Sequence, residues 1–418
     1  MKHMNKAVKV IIFGLFSAVM GAAAGAVVWL VLQLMNWGIY FIWDYLPEAL
    51  GTGRSLVYNT AVCLTGGLLT GLWQRRYGIL PDDLETVMGR IKKEGKYPYD
   101  RLHIIAVAAL LPLIFGGALG PEAGLSGLIA GLCCLISDRL KQKGDEAAAL
   151  AETGIAATLG VIFNSPLFGI IDNLEPDGRE EKYRKKLADK KTRIFLYVMG
   201  VAGGMAAMSL MKRITGSEGG LPRFDAGHET GFDQWKWLPV FLAAGILMGL
   251  FSMAVGKITE KTGERIREHR IISCMTAGLI LGVTGFFLPL SMFSGEHDMG
   301  LLIEGWRDYS AAILILSAIG KIFLVNLCID LGWRGGSIFP VIFSGTAMGF
   351  AAAMITGADG AFAVAVTAAA LCGYTMRKPA TVIAVLLLCF PVTYILPLAA
   401  AAIAASKVPV PKPLKKHH

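Results

Sequence analysis

The stretch GGALGPEAGLSGLIAG, residues 116–131, carries a single carboxylate, Glu122, in an otherwise apolar setting. The segment IIAVAALLPLIF precedes it and LCCLIS follows it, so its surroundings are those of a lipid-embedded segment. An ionised carboxylate at membrane depth costs several kcal/mol unless a cavity, a partner or a proton relieves it, and such groups are usually functional. The glycines around it allow backbone to approach a ligand closely. The stretch therefore predicts a functional acid inside a membrane.

The composition agrees with a membrane setting. The 418 residues are 54% hydrophobic and 17% charged, with a mean hydropathy of +0.56, whereas a soluble chain carries about 25% charge. Several apolar runs reach the roughly 20 residues that a spanning helix needs, and they lack the period-two alternation of barrel strands. The runs are Val8–Met35, Ser55–Trp73, Ile104–Ile136, Phe195–Met211, Leu238–Val255, Ile272–Leu290, Ala311–Leu327, Phe339–Ile355, Ala361–Cys372 and Thr381–Ala405. The sequence predicts an all-α polytopic membrane protein.

The charge distribution predicts the orientation. The chain has 40 Lys and Arg against 31 acids, and the excess is concentrated in residues 176–193, residues 257–270, the N-terminus and the C-terminal tail. By the positive-inside rule these segments face the cytoplasm, so we expect a multi-pass protein of the cell membrane with both termini cytoplasmic. The first apolar run is too long for the apolar core of a cleaved signal peptide. Nothing in the basic segments indicates nucleic-acid binding, because aromatic residues are not interleaved with them.

Enzymatic signatures are missing from the sequence. The seven cysteines show no CxxC spacing, which argues against disulfides and zinc sites. No HExxH, P-loop or GxSxG motif occurs. We therefore expect no enzyme activity, no cofactor and no metal.

A polar, glycine-rich stretch divides the chain near its middle. We predict a first membrane half at residues 1–211, a connecting segment at 212–237, a second membrane half at 238–406 and a basic cytoplasmic tail at 407–418. Two proline positions recur in the halves. Pro166 and Pro379 are 213 positions apart (379 − 166), and Pro121 and Pro340 are 219 apart (340 − 121).

Gly- and Pro-broken apolar segments at matching places in two halves indicate the inverted repeat of a transporter with a site at the midplane. A helix that begins inside the membrane leaves its first N–H groups unpaired, and these groups and the helix dipole attract an anion. A plainer interpretation is that the small residues only let helices pack closely. The presence of Glu122 favours the anion site.

Three segments resemble motifs of the CLC family of chloride channels and proton-coupled anion antiporters: GPEAG at residues 120–124, FNSPLFG at 163–169 and GGSIFP at 335–340. The resemblance implies a homodimer in the lipid bilayer, with a pore in each subunit and two oppositely oriented halves whose broken helices meet at a midplane anion site. It implies that small inorganic anions and protons are the transported partners.

The resemblance also assigns site residues. Glu122 becomes the gating glutamate that competes with the anion and carries the exchanged proton. Where the family places a serine, this chain has Tyr77 and Gly78, which offer either a phenol or backbone alone; an interfacial position is the alternative for Tyr77. The remaining anion-binding residues implied are Gly120, Pro121, Glu122, Ala123, Gly336, Ser337 and Ile338.

The sequence departs from the family pattern in three places. Pro121 and Gly124 replace the arginine and final proline of the family's GREGP motif. Glu175, beside Pro176, either replaces the family's internal proton glutamate or is a solvated acid at a helix end. From its last apolar run we expect the chain to lack the final family helix, whose tyrosine usually contacts the central anion. The resemblance and Glu122 lead us to expect anion/proton exchange. Because of these three departures, an uncoupled channel, a fluoride-selective variant and a non-transporting scaffold stay open.

One further charge lies in an apolar run. Lys321, in AIGKIF, could raise the positive potential of the pore, or its long side chain could extend to a membrane interface.

Overall fold

The computed structural model describes residues 6–94, 96–139, 190–216, 222–224, 231–266 and 268–414. In these ranges the chain is helical and contains no strand, as predicted. The α-helices are α1 (Lys6–Tyr40), α2 (Leu46–Ala49), α3 (Leu56–Tyr77), α4 (Leu84–Glu94), α5 (Leu102–Ile114), α6 (Glu122–Arg139), α7 (Lys190–Thr215), α8 (Leu238–Ile266), α9 (Arg270–Phe287), α10 (Glu296–Gly305), α11 (Ala311–Asp330), α12 (Ile338–Thr356), α13 (Gly360–Met376), α14 (Pro379–Cys389) and α15 (Ile395–Lys407).

The described helices confirm the membrane prediction. Seven segments are long and apolar enough to span a bilayer: Ile11–Ala49, Leu56–Tyr77, Ile194–Thr215, Asp233–Ile266, Arg270–Phe287, Ala311–Asp330 and Ile338–Thr356. Shorter apolar helices accompany them, including α5, the apolar part of α6, and α13. The chain is therefore a multi-pass membrane protein.

Helix ends follow local chemistry. The side chains of Ser55, Ser310 and Asp359 each accept a hydrogen bond from a backbone N–H in the first turn of the helix that follows. Pro379 occupies the first position of α14, where a missing N–H costs no hydrogen bond. The apolar run Ile104–Ile136 is broken into α5 and α6, so the glycine-rich stretch lies between helices as expected.

The chain forms two compact units, which we describe separately. The first contains residues 1–34, 81–107 and 122–220. In it α1 and α7 cross at glycines: a Cβ added to Gly21 would overlap the carbonyl oxygen of Gly200. Backbones pack this closely only where side chains are missing, as is common between membrane helices.

The second unit contains residues 35–80, 108–121 and 221–418, and its centre is α13. Almost every residue of α13 is buried, and the helix packs against α8, α12 and α15. Glycines again set the spacing: a Cβ at Gly345 of α12 would lie 2.6 Å from the Cα of Ala368 of α13. Helices α3 and α9 pack along one another in the same way.

Two predicted features lie outside the described residues. Pro166, with its FNSPLFG segment, and Glu175 both belong to residues 140–189. The division of the chain into two half-repeats stays a prediction.

Candidate functional site

The two glycine-rich segments are joined through their backbones. The N–H of Gly120 donates to the carbonyl oxygen of Gly336, and the N–H of Gly336 donates to that of Gly120, both at 2.7 Å. This antiparallel bridge is isolated from any strand. Helix α6 begins two residues after Gly120, at Glu122, and α12 begins two residues after Gly336, at Ile338. The bridge is therefore at the same distance along the chain from each helix start.

Glu122 is almost completely buried, with 1% of its surface exposed. It is the first residue of α6, so its carboxylate lies at the positive end of the helix dipole. Gly120, Pro121 and Ala123 are buried as well. Covalent geometry alone keeps the Cα of Glu122 within about 8 Å of that of Gly120.

The start of α12 combines buried backbone with one exposed side chain. Gly336 is buried and Ile338 is partly buried. Ser337, the N-cap residue, is exposed, and its hydroxyl makes no capping bond to the helix. This hydroxyl therefore does not satisfy the first N–H groups of α12.

The segment before Gly120 is held from several sides. The indole N–H of Trp43 donates to the carbonyl of Ile114 at 2.9 Å, and the backbone N–H of Phe293 donates to that of Gly116 at 3.2 Å. The Trp43 and Phe293 rings meet edge to face with centroids 5.3 Å apart. Gly116 has φ +89°, a conformation that favours glycine, and a Cβ there would lie 2.8 Å from the Trp43 ring. These contacts fix the path of the chain toward Gly120.

Tyr77 and Gly78 lie at the end of α3. The Tyr77 ring packs on Trp73 with centroids 4.7 Å apart, and the Gly78 N–H donates to the carbonyl of Gln74 at 2.9 Å. These contacts belong to α3 itself, so the role of the two residues at an anion site stays a prediction. Farther along, the Asp83 carboxylate accepts from the Thr86 N–H at 2.7 Å and caps α4.

A cavity of about 200 Å³ adjoins the turn that leads from α11 to the bridge. Its walls come from the ends of α3, α8 and α11 and the beginning of α9. Charged groups of both signs line it: Glu260, Glu264, Arg270, Asp330 and Arg334. Arg334 immediately precedes Gly335, so a cationic side chain lies at the boundary between the cavity and the glycine-rich segment.

Lys321 does not reach a membrane interface, so that interpretation of the sequence is wrong. Its side chain is 0% exposed, and its ammonium donates to the carbonyls of Met292 and, at 3.0 Å, Phe293. The Phe343 ring lies 4.7 Å from the same nitrogen.

Sequence reasoning missed Trp43 and the Met292–Phe293 turn. A tryptophan near the end of an apolar run looks like an interfacial anchor, and its hydrogen bond to a carbonyl 71 residues away leaves no local pattern. The only signal near Phe293 is the Ser-Gly pair that follows it, which predicts a turn but no partner.

Comparisons with known proteins agree with this architecture. A sequence model of the family described as Voltage gated chloride channel matches residues 66–409. The protein YfeO of Escherichia coli O139:H28 (strain E24377A / ETEC), whose name assigns it provisionally to ion transport, is 26% identical over 357 residues, covering 81% of this chain and 78% of YfeO.

Three solved structures share the fold. A slow cyanobacterial Cl⁻/H⁺ antiporter superposes with a TM-score of 0.80 at 17% identity, covering 94% of this chain and 93% of the antiporter. A CLC-type fluoride/proton antiporter gives 0.73 at 17% identity, with 97% of each chain covered. A eukaryotic CLC transporter gives 0.66 at 16% identity, covering 95% of this chain and 71% of the transporter.

Proposed function

Because the chain belongs to the voltage-gated chloride channel (CLC) family, whose members are transporters or channels and not enzymes, we propose that it exchanges a small inorganic anion, chloride or a related ion, for protons with Glu122 as the gate. The anion would bind at the starts of α6 and α12, contacted by backbone of residues 120–123 and 336–338 and by the Ser337 hydroxyl.

The observation that carries this proposal is the Gly120–Gly336 bridge. It joins the two segments from which the helices start, and Glu122 follows it by two residues. Helix N-termini attract anions through their N–H groups and their dipoles. An acid in this place competes with an anion for the same donors, since a carboxylate is itself an anion.

Protonation of Glu122 would couple the two ions. A neutral carboxyl group competes poorly for amide donors, so proton uptake releases the position to the anion, and return of the carboxylate displaces the anion. Burial keeps the acid away from bulk water, which makes the exchange depend on movement of the side chain. Glu175 is proposed as the second proton-carrying acid.

Replacing Glu122 by glutamine tests the proposal. Purified wild type and E122Q are reconstituted in liposomes, and anion flux and proton flux are recorded under an anion gradient. We expect E122Q to abolish anion-driven proton movement. E48Q, which changes an exposed acid of α2, is the control and should behave as the wild type. Unchanged proton movement in E122Q would overturn the assignment of the gate.

An uncoupled channel is the second candidate, favoured by Pro176 where a proton-carrying acid would be expected. It predicts reversal potentials that follow the anion gradient alone at every pH gradient. Flux of chloride, fluoride, nitrate and bromide at two external pH values separates the candidates and identifies the anion.

We also propose a homodimer with both termini cytoplasmic. The basic segments support the orientation through the positive-inside rule, and the family supports the dimer. Labelling of single cysteines placed near each terminus, in sealed cells with an impermeant reagent, tests the orientation. Crosslinking in membranes tests the dimer.

A further inference from the structure

Lys321 is a buried cation of the second unit. It lies within α11, and its side chain is fully buried. A charge that is removed from water costs several kcal/mol unless a partner of opposite sign compensates it. The groups that offset the charge of Lys321 therefore bear on its function.

The contacts of the ammonium compensate its charge only in part. Two backbone carbonyls and the face of the Phe343 ring surround it, and these offer partial charges. In the part of the chain that the structure describes, no carboxylate oxygen lies within 4.0 Å of its nitrogen. Among the described residues, Lys321 therefore has no counterion in contact.

Asp298, in α10, is an acid whose charge acts on Lys321 from a longer distance. Burial raises the pKa of Asp298, and Lys321, His297 and Arg54 oppose this shift. Because the Asp298 carboxylate is farther than 4.0 Å from the Lys321 nitrogen, it compensates the charge incompletely.

Lys321 is close to the start of α12. Phe343 follows Ile338 by five residues, a rise of about 7.5 Å, and side chains in a helix lean toward its N-terminus. The ammonium is thus on the order of 10 Å from the first residues of α12. It also holds the turn whose Phe293 N–H binds Gly116, four residues before Gly120.

We propose that Lys321 supplies the fixed positive charge of the anion site, and that the transported anion acts as its counterion. The inference rests on the proposed function. Lys321 raises the affinity for the anion through its electrostatic field, without touching the anion, and Asp298 acts in the opposite direction. At this separation two charges in a protein of intermediate dielectric still interact appreciably, and lipid-embedded helices screen them little.

Four proteins test the inference: wild type, K321M, K321R and D298N. Chloride binding is measured by calorimetry in detergent, and the anion concentration dependence of flux is measured in liposomes. We expect K321M to weaken binding about tenfold, equivalent to about 1.4 kcal/mol, and to raise KM accordingly. K321R should restore binding because it keeps the charge, and D298N should bind more tightly than the wild type.

A purely structural role predicts another pattern. If Lys321 only anchors the Met292–Phe293 turn, K321M loses thermal stability while its chloride affinity stays that of the wild type, and this result overturns the inference. Should K321M fail to give monodisperse protein, D298N decides alone: tighter binding supports the inference, and unchanged or weaker binding overturns it. Failure of the proposed function looks different. A wild type that binds and transports anions without moving protons is an uncoupled channel, and the Lys321 comparison can still be read. A wild type that neither binds nor transports any of the four anions tested above has no anion site.

Discussion

A Cβ atom at Gly335 would lie 2.7 Å from the Cβ of Leu119 and 3.2 Å from the carbonyl oxygen of Gly120. Real Cβ atoms essentially never lie 2.7 Å from a neighbouring atom, so a side chain at position 335 would force one of the two segments to shift. We therefore infer that the Gly120–Gly336 bridge depends on glycine at position 335.

We therefore expect G335A to push the two segments apart. Overpacking of this kind costs about 1–3 kcal/mol. Anion flux in liposomes should fall several-fold, and thermal unfolding in detergent should begin earlier. G89A in α4 is the matched control, because a Cβ there meets nothing within 4 Å. Wild-type flux in G335A would show that the bridge does not depend on this spacing.

The crossing of α1 and α7 gives a second prediction. G21A should lower the unfolding temperature by several degrees, because the added methyl group overlaps the Gly200 carbonyl and the helices must separate. Proteolysis of membranes followed over temperature measures the change, with G89A again as the control. If G21A and G89A unfold alike, the close approach of α1 and α7 is not a feature of the folded protein.

Arg377 gives a stability prediction with a defined order. Its Nη1 donates to the carbonyls of Ser406, at 2.6 Å, and Val408, at 2.7 Å, and its guanidinium lies 4.4 Å from the Tyr374 ring centroid. The residue ends α13 with φ +57°, which favours glycine.

Both R377A and R377G lose hydrogen bonds to a charged group, worth about 1.5–3 kcal/mol each. R377G avoids the backbone strain that alanine keeps, by roughly 1 kcal/mol. We expect unfolding temperatures in the order wild type, R377G, R377A, measured by intrinsic fluorescence. An R377A protein as stable as R377G would contradict the backbone part of this argument.

Asp298 gives a prediction about pH. Burial raises its pKa, so the folded state binds a proton at pH values where the unfolded chain has lost it. Stability contributed by this group is present at acidic pH and declines as pH rises through the raised pKa. The gain in unfolding temperature of D298N over the wild type should therefore be larger at pH 8 than at pH 4.5. If D298N raised the unfolding temperature equally at pH 8 and pH 4.5, the titration of Asp298 would not be the cause of the stabilisation.

Local patterns were sufficient for much of the fold. The glycines and prolines of residues 116–124 and 335–340 predicted that helices are broken there, because these residues act on the backbone where they stand. In the structure α5 ends at Ile114 and α12 begins at Ile338. The sequence also indicated that the two glycine-rich segments belong together. It could not say which atoms pair, since the Gly120–Gly336 bridge depends on the packing of the whole second unit.

Other parts of the candidate site needed the fold. No residue pattern near Trp43 predicts its hydrogen bond to the carbonyl of Ile114. For Lys321, a role in the pore and an interfacial position differ only in where the end of a flexible side chain lies, and the sequence does not determine that. Residues 77 and 78 show the opposite case: the family resemblance assigns them a role, and their contacts within α3 leave it a prediction.

The Gly120–Gly336 bridge has a consequence for biosynthesis. Its partners are 216 positions apart in the chain (336 − 120), so Gly120 leaves the ribosome long before Gly336 exists. At about 5–20 residues per second, the interval is roughly 10–40 s. During that time the N–H and the carbonyl of Gly120 do not yet have the partners that Gly336 provides in the folded protein. A nascent chain stalled before Gly336 cannot complete this part of the protein, however well its first helices have inserted.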